Sequence, residues 1–114
     1  MAKEFNELIG KELAGIGFIR DSIEITFDGP ILRYFVFPVL QINNELIDSN
    51  NINWRNSLRL LIGDIVTDAV SKNDIHVEIL FKSGKKLIVD MVKNPPWGEM
   101  LNYLPYSGGP LSVW

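Results

Sequence analysis

The sequence contains no cysteine and only one histidine, His76. Without cysteine there is no disulfide framework, no thiolate nucleophile and no cysteine-ligated metal site. A single histidine excludes histidine-pair metal sites and makes any Ser-His-Asp triad depend on that residue. His76 falls on the polar side of an alternating stretch, so we interpret it as a solvated side chain. We expect no catalytic activity, no bound metal and no organic cofactor.

The sequence also lacks nucleotide-binding motifs and long apolar runs. GxSxG, GxxxxGK and GxGxxG do not occur, and the segment SGGP is too short to cradle a phosphate. The longest dense apolar run, YFVFPVLQI from Tyr34 to Ile42, is far too short for a membrane helix, and the first residues lack the apolar core of a secretory signal. We expect a cytoplasmic protein that is a monomer or weak homodimer and contacts neither membrane nor nucleic acid.

The composition is that of a packed globular protein. Of 114 residues, 46% are hydrophobic and 22% are charged, which is enough for one domain over residues 1–114. The net charge of −3 is uneven, because residues 1–50 hold four basic and eight acidic side chains. This balance is unfavourable for binding a phosphate backbone and permits a basic protein partner.

Two stretches of the chain repeat one pattern. SIEITFDG at residues 22–29 returns as HVEILFKSG at residues 76–84, and Leu-Ile-Gly occurs at residues 8–10 and again at 61–63. This spacing predicts an internal repeat of residues 3–42 and 54–94. Two unrelated amphipathic hairpins would show a similar pattern, so chance similarity stays open as the alternative to duplication.

Each unit predicts a short helix followed by three strands. Apolar residues at helical spacing precede a glycine suited to a helix end. Ile25 and Phe27, like Ile79 and Phe81, alternate with polar residues and are expected to be core. The fold class is therefore mainly β (α+β), with two short-helix-plus-three-strand meanders packed into one sheet assembly or half-open barrel. NNELIDSNN between the units predicts an exposed loop, and residues 95–114 predict an extended wrapping tail that ends in a short strand.

Clusters of like charge could in principle support chemistry. Carboxylates at turns and strand edges could form a catalytic or metal-binding pair, and three lysines at one hairpin tip could contact phosphate. We interpret both sets as solvated surface groups. The carboxylates are Asp21, Glu24, Asp64, Asp68, Asp74 and Glu78, and the lysines are Lys82, Lys85 and Lys86.

The aromatic residues divide into two groups. Trp54 belongs to the apolar stripe of the second helix and is expected in the core. Trp97, Tyr103, Tyr106 and Trp114 lie in the Pro/Gly-rich tail, where they either cover the core or form a binding surface.

The two units LIGKELAGIGFIRDSIEITFDGPILRYF and LRLLIGDIVTDAVSKNDIHVEILFKSGKKLIV, with the Pro/Gly-rich end, resemble small β-rich immunity proteins of bacterial polymorphic toxin systems of the contact-dependent-inhibition and Rhs kind. The resemblance covers residues 5–92 and the tail. It implies a non-catalytic protein that binds and neutralises a cognate toxin domain in the cytoplasm of the producing cell. It assigns no functional residue.

The residues themselves indicate where a basic toxin domain would bind. Glu45 and Asp48 lie in the Asn-rich loop and would steer a basic partner, while Trp97, Tyr103 and Tyr106 would anchor it if exposed. Two alternatives remain open: a small-molecule-binding or accessory β domain that uses the apolar space between the meanders, and an unrecognised enzyme.

Overall fold

The computed structural model describes residues 2–20, 22–72, 76–90, 101–105 and 112–113, which form two antiparallel sheets of five strands each. A 3-10 helix, Ala2–Leu8, precedes the first strand, and a short helix α1, Trp54–Arg59, lies between the fifth and sixth. The strands are β1 (Leu13–Ile19), β2 (Ser22–Phe27), β3 (Ile31–Tyr34), β4 (Val39–Ile42), β5 (Glu45–Ile47), β6 (Val66–Lys72), β7 (His76–Phe81), β8 (Lys86–Asp90), β9 (Leu101–Leu104) and β10 (Ser112–Val113). The predicted mainly-β class is confirmed.

Each sheet combines strands from both halves of the chain. The strand order is β1-β2-β3-β9-β10 in the first sheet and β5-β4-β8-β7-β6 in the second. The hairpin that follows the first meander therefore crosses over to pair with β8, and the strands that follow the second meander return to pair with β3. Both sheets have the same topology, while the common origin of the two halves stays a prediction.

The two meanders also share one register. In the first, Leu13 lies opposite Phe27, and a bulge between Leu13 and Gly15 then interrupts the pairing of β1 with β2. In the second, the bulge falls between Val66 and Asp68, and Val66 lies opposite Phe81. A bulge at the start of a strand increases its local twist, so both sheets begin with the same bend.

A short backbone ladder joins the beginnings of the two meanders. Gly10 N–H donates to Val66 C=O at 2.8 Å, and Gly63 N–H donates to Leu13 C=O at 2.8 Å. Gly10 and Gly63 have φ of 88° and 95°, a left-handed conformation that glycine adopts without steric cost. The chain therefore turns sharply after each helix and enters the ladder.

The helices pack against strands of both sheets. The 3-10 helix packs on β6, an edge strand of the second sheet, whereas α1 packs on β1, an edge strand of the first sheet, and on the interior strand β4. No helix in the described part of the chain combines the length and the apolar character needed to cross a bilayer.

Alternation in the central strands builds one hydrophobic core between the sheets. Ile25 and Phe27 of β2, together with Ile79 and Phe81 of β7, are at most 3% exposed, as predicted. Both sheets contribute to the same cluster of buried side chains. The two sheets therefore form two packed layers.

The segment predicted as a loop after the first meander contains a β-hairpin. β3 ends at Tyr34, and β4 and β5 are joined by Asn43 and Asn44, whose φ values are 51° and 69°. Asparagine tolerates this left-handed conformation, which a two-residue hairpin turn needs at both positions. Asn43 and Asn44 therefore form a hairpin turn. The prediction of an exposed loop was wrong for residues 45–47, which form β5.

Replacing Phe81 by Ala should lower the free energy of unfolding by about 3–5 kcal/mol, because a 3% exposed ring leaves a cavity in the core. Urea denaturation followed by circular dichroism measures the change. Leu46→Ala, at a 64% exposed position, is the control and should stay within about 0.5 kcal/mol. A loss at Phe81 as small as the control would contradict the assigned core.

Candidate protein-binding surface

Residues 43–53, which we call the exposed segment, run from the β4–β5 turn to the start of α1. Every residue in it except Ile47 is exposed to solvent. Leu46 is 64% exposed and Ile52 is 95% exposed, while Glu45 and Asp48 place carboxylates beside them. An apolar side chain as open as Ile52 is a natural contact point for a partner, because burying it removes apolar surface from water.

Local hydrogen bonds give the exposed segment a defined shape. Asn51 N–H donates to Asp48 C=O, and Asn50 N–H donates to Asp48 Oδ1, both at 3.0 Å. Asn53 N–H donates to Asn51 Oδ1 at 2.8 Å. Side chains of Asp and Asn commonly hold turns in this way. A segment that is ordered before binding loses less conformational entropy when a partner arrives.

Trp54 fixes the end of the exposed segment to the body of the protein. Its side chain is 3% exposed, and its Nε1–H donates to the Pro38 carbonyl at 3.0 Å. Pro38 lies in the stretch that carries the chain from the first sheet to the second. The prediction that Trp54 is core is consistent with this burial, and the residue also secures the crossover.

Two half-exposed phenylalanines surround Trp54 and form with it what we call the aromatic cluster. The Phe37 and Phe18 ring centroids lie 5.4 and 6.1 Å from that of Trp54, at distances typical of interacting rings. Phe18 is 39% and Phe37 is 38% exposed. The Arg55 guanidinium lies over the Phe18 ring, 4.7 Å from its centroid, as in a cation–π contact.

The surface carries both signs of charge, in two separate places. Glu45 and Asp48 belong to the exposed segment, whereas Arg55 and Arg59 are exposed on α1. The Arg59 guanidinium is held by Asn56 Oδ1 at 2.9 Å. Exposed acidic residues therefore precede Trp54 in the sequence, and exposed basic residues follow it.

The structure separates the site residues that the sequence predicted. Glu45 and Asp48 are exposed, as expected. Tyr103 is only 2% exposed, so of the two alternatives it belongs to the core, and its proposed role as an exposed anchor is corrected. Trp97, Tyr106 and Trp114 lie outside the described residues.

Tyr103 is buried because β9 is an interior strand. It pairs with β3 on one side and β10 on the other, which places the ring in the core. The ring packs edge-on against Phe5 with centroids 5.3 Å apart, and its hydroxyl donates to a carboxylate oxygen of Glu7. Burial, reinforced by the neighbouring Glu7 carboxylate, raises the pKa of Tyr103 well above its usual range.

The carboxylates considered for chemistry lie in separate polar contacts. Glu24 pairs with Arg33 at 2.6 Å, and Glu78 contacts His76 at 2.6 Å. Asp64 accepts from the Ser83 hydroxyl, while Asp68 Oδ1 accepts from the Ala69 backbone. Asp21 and Asp74 lie outside the described residues. Among those described, no three metal-ligating side chains come together.

The sequence prediction missed most apolar members of this surface, including Phe18 and Phe37. Phe18 continues the apolar alternation of β1 and therefore resembled core, but it lies at the end of the strand beside α1, where solvent reaches it. The exposure of Ile52 could have been predicted from the sequence, because a single apolar residue between Asn51 and Asn53 belongs to no apolar pattern that would bury it.

Hydrophobic side chains pack densely between the meanders. Among the described residues, twenty-two of them, each at most 6% exposed, form one cluster to which both sheets and both helices contribute. A small-molecule site in that space stays an alternative hypothesis.

These features define an antiparallel two-sheet β protein with an ordered, partly apolar exposed segment. Compared with known proteins, the chain matches no protein-family model, no curated protein and no solved structure. The functional assignment therefore depends on the surface itself.

The stability of the fold should decrease as the pH rises above 10. Tyr34 is 1% exposed, and burial raises its pKa above the usual 10.0. Unfolded tyrosine ionises near pH 10 while the folded state keeps its proton, so each such group lowers the free energy of unfolding by about 1.4 kcal/mol per pH unit there. Urea denaturation between pH 8 and about 11 measures this, and Tyr34→Phe should give a shallower decline. Identical declines in the two proteins would contradict the assignment.

Proposed function

We propose that this protein is an immunity protein, which binds a cognate toxin domain in the cytoplasm of the producing bacterium and blocks it without catalysis. The observation that carries the proposal is the exposed segment, where Leu46 and Ile52 protrude beside Glu45 and Asp48. The resemblance to polymorphic-toxin immunity proteins supports the same function.

The chemistry of the exposed segment suits a protein partner. Leu46 and Ile52 supply apolar surface that a partner can bury, and the turn held by Asp48 is already ordered. The neighbouring aromatic cluster adds Phe18, with the Arg55 guanidinium over its ring, and aromatic and arginine side chains are enriched where interface energy concentrates. An interface of about 1,600 Å² in total is sufficient for tight inhibition.

The charge distribution favours a basic partner. Residues 1–50 carry eight acidic against four basic side chains, and Glu45 and Asp48 are the acidic groups nearest the apolar contacts in sequence. Complementary charge accelerates association and selects against wrong partners. Trp97 and Tyr106 of the tail, which lie outside the described residues, remain proposed anchors.

Reversing the charges of the exposed segment should weaken toxin binding. With Glu45→Lys and Asp48→Lys together, we expect affinity for the toxin domain encoded by the adjacent upstream gene to fall by about tenfold or more at low salt, with a smaller difference at about 1 M salt. Isothermal titration calorimetry and growth rescue on co-expression measure the effect.

The matched control reverses two exposed carboxylates of the same acidic half, with Glu12→Lys and Asp28→Lys. This variant has the same net charge and should retain binding within about threefold, since charges outside the proposed surface act only through screened long-range attraction. Equal losses in both variants would exclude a local surface, and a wild-type protein that does not bind the toxin would end the immunity proposal.

Replacing His76 by Ala should leave protection unchanged. The His76 imidazole pairs with Glu78 of the same strand, and a binding protein has no use for a general base there. Growth rescue by the variant, after circular dichroism has shown an unchanged fold, measures this. Loss of rescue in a folded variant would indicate that His76 takes part in function.

A further inference from the structure

A polar cavity of about 400 Å³ lies at one end of the second sheet. Two hairpin turns form its walls: Asn43 and Asn44 between β4 and β5, and Ser83 and Gly84 between β7 and β8. The remaining lining residues are Gln41, Ile42, Lys85 and Lys86. It is separate from the core between the sheets.

The cavity exists because two paired strands part at this end. The ladder between β4 and β8 stops at Gln41 and Lys86. Beyond that pair each strand bends into its own hairpin, so the facing backbones are not joined to each other. The gap between the two turns is therefore lined by residues 41–44 and 83–86.

The lining has a marked chemical bias. It contains two lysines, three side-chain amides and a hydroxyl, and no carboxylate among the described residues that form it. Lysine ammonium groups supply positive charge, and side-chain amides supply neutral N–H donors. Such a set matches an anion with several acceptor oxygens.

Nearby carboxylates are engaged elsewhere or lie outside the lining. Glu78 Oε1 is 3.8 Å from Lys86 Nζ, but its other oxygen is held by His76 at 2.6 Å. Asp64 accepts hydrogen bonds from Ser83. Glu45 follows the Asn43–Asn44 turn and is exposed. Lys85 therefore provides the least neutralised charge at the cavity, and Lys86 is shared with Glu78.

We propose that this cavity binds the phosphate group of a small organic phosphate monoester. Lys85 and Lys86 contact the phosphate oxygens, with hydrogen bonds from Asn43 and Asn44. The volume exceeds what one phosphate needs and lies in the range of small-ligand sites, so it also admits the organic part. The site shares its Asn turn with the exposed segment, but the proposal does not depend on a toxin.

Titration of the isotopically labelled protein with glycerol phosphate, inorganic phosphate, acetate or chloride at constant ionic strength tests the proposal by amide NMR. Both phosphates should saturate in the low millimolar range, shifting amides of residues 41–44 and 83–86, and glycerol phosphate should bind at least as tightly as inorganic phosphate. Lys85→Gln with Lys86→Gln should weaken binding by about tenfold. Lys82→Gln, on the same hairpin but outside the lining, is the matched control and should stay within about twofold.

Four outcomes would overturn the proposal. Equal weakening by Lys82→Gln, or equal shifts with chloride, would indicate only diffuse attraction to lysines. Acetate binding as tightly as the phosphates would refute the phosphate preference. Binding of inorganic phosphate without glycerol phosphate would refute the organic ligand. Each lysine replaced singly provides a second test if the double variant does not fold.

Discussion

The backbone ladder between residues 10–13 and 63–66 is the constraint on which the rest of the fold depends. Val66 N–H donates to Lys11 C=O and Leu13 N–H donates to Asp64 C=O, both at 2.9 Å. Each half of the chain therefore provides hydrogen-bond partners for the backbone of the other half where the meanders begin. The ladder sets the first strands of the two meanders beside each other, with Glu12 and Ile65 bridged between them. Once the starts of both meanders are fixed, each meander forms its own sheet. The strands that follow each meander then extend the opposite sheet. Left-handed Gly10 and Gly63 make this geometry accessible.

Because the hairpins cross, the candidate surface is made from both halves. Phe18 comes from the first sheet, whereas the exposed segment extends from an edge strand of the second sheet. Trp54 joins them, since its indole N–H binds the Pro38 carbonyl of the crossover and its ring contacts Phe18 and Phe37. Substitution of Trp54 would therefore disturb the crossover between the sheets at Pro38 as well as the surface. The surface residues Ile52 and Phe18 can be changed with less structural effect, because neither is buried.

How far the fold could be predicted depends on the range of the interaction that decides each element. Alternation at Ile25, Phe27, Ile79 and Phe81 is local and sufficed to place the core strands. The exchange of hairpins between sheets could not be predicted, because a strand such as β9 offers the same hydrogen-bonding edge to either meander and only tertiary packing selects one. Tyr103 illustrates the consequence: proline and glycine around it indicated a surface tail, while pairing with β3 buried it. Of the site, the carboxylates of Glu45 and Asp48 were predictable from a polar loop, whereas Phe18 required knowledge of what covers the strand end.

The differences between the two similar halves show where specialised chemistry lies. Identical backbone demands keep glycine at the turn after each central strand, with φ of 113° at Gly29 and 94° at Gly84. The backbone conformation does not constrain the side chains beside those glycines, and their charges have opposite signs. Asp28 precedes Gly29, whereas Lys82, Lys85 and Lys86 surround Gly84. The turn with lysines also faces the Asn43–Asn44 hairpin across a polar cavity. Backbone geometry does not require Lys85 and Lys86 at that turn, and the anionic ligand proposed for the cavity would give these two residues a role that Lys82, outside the lining, does not share.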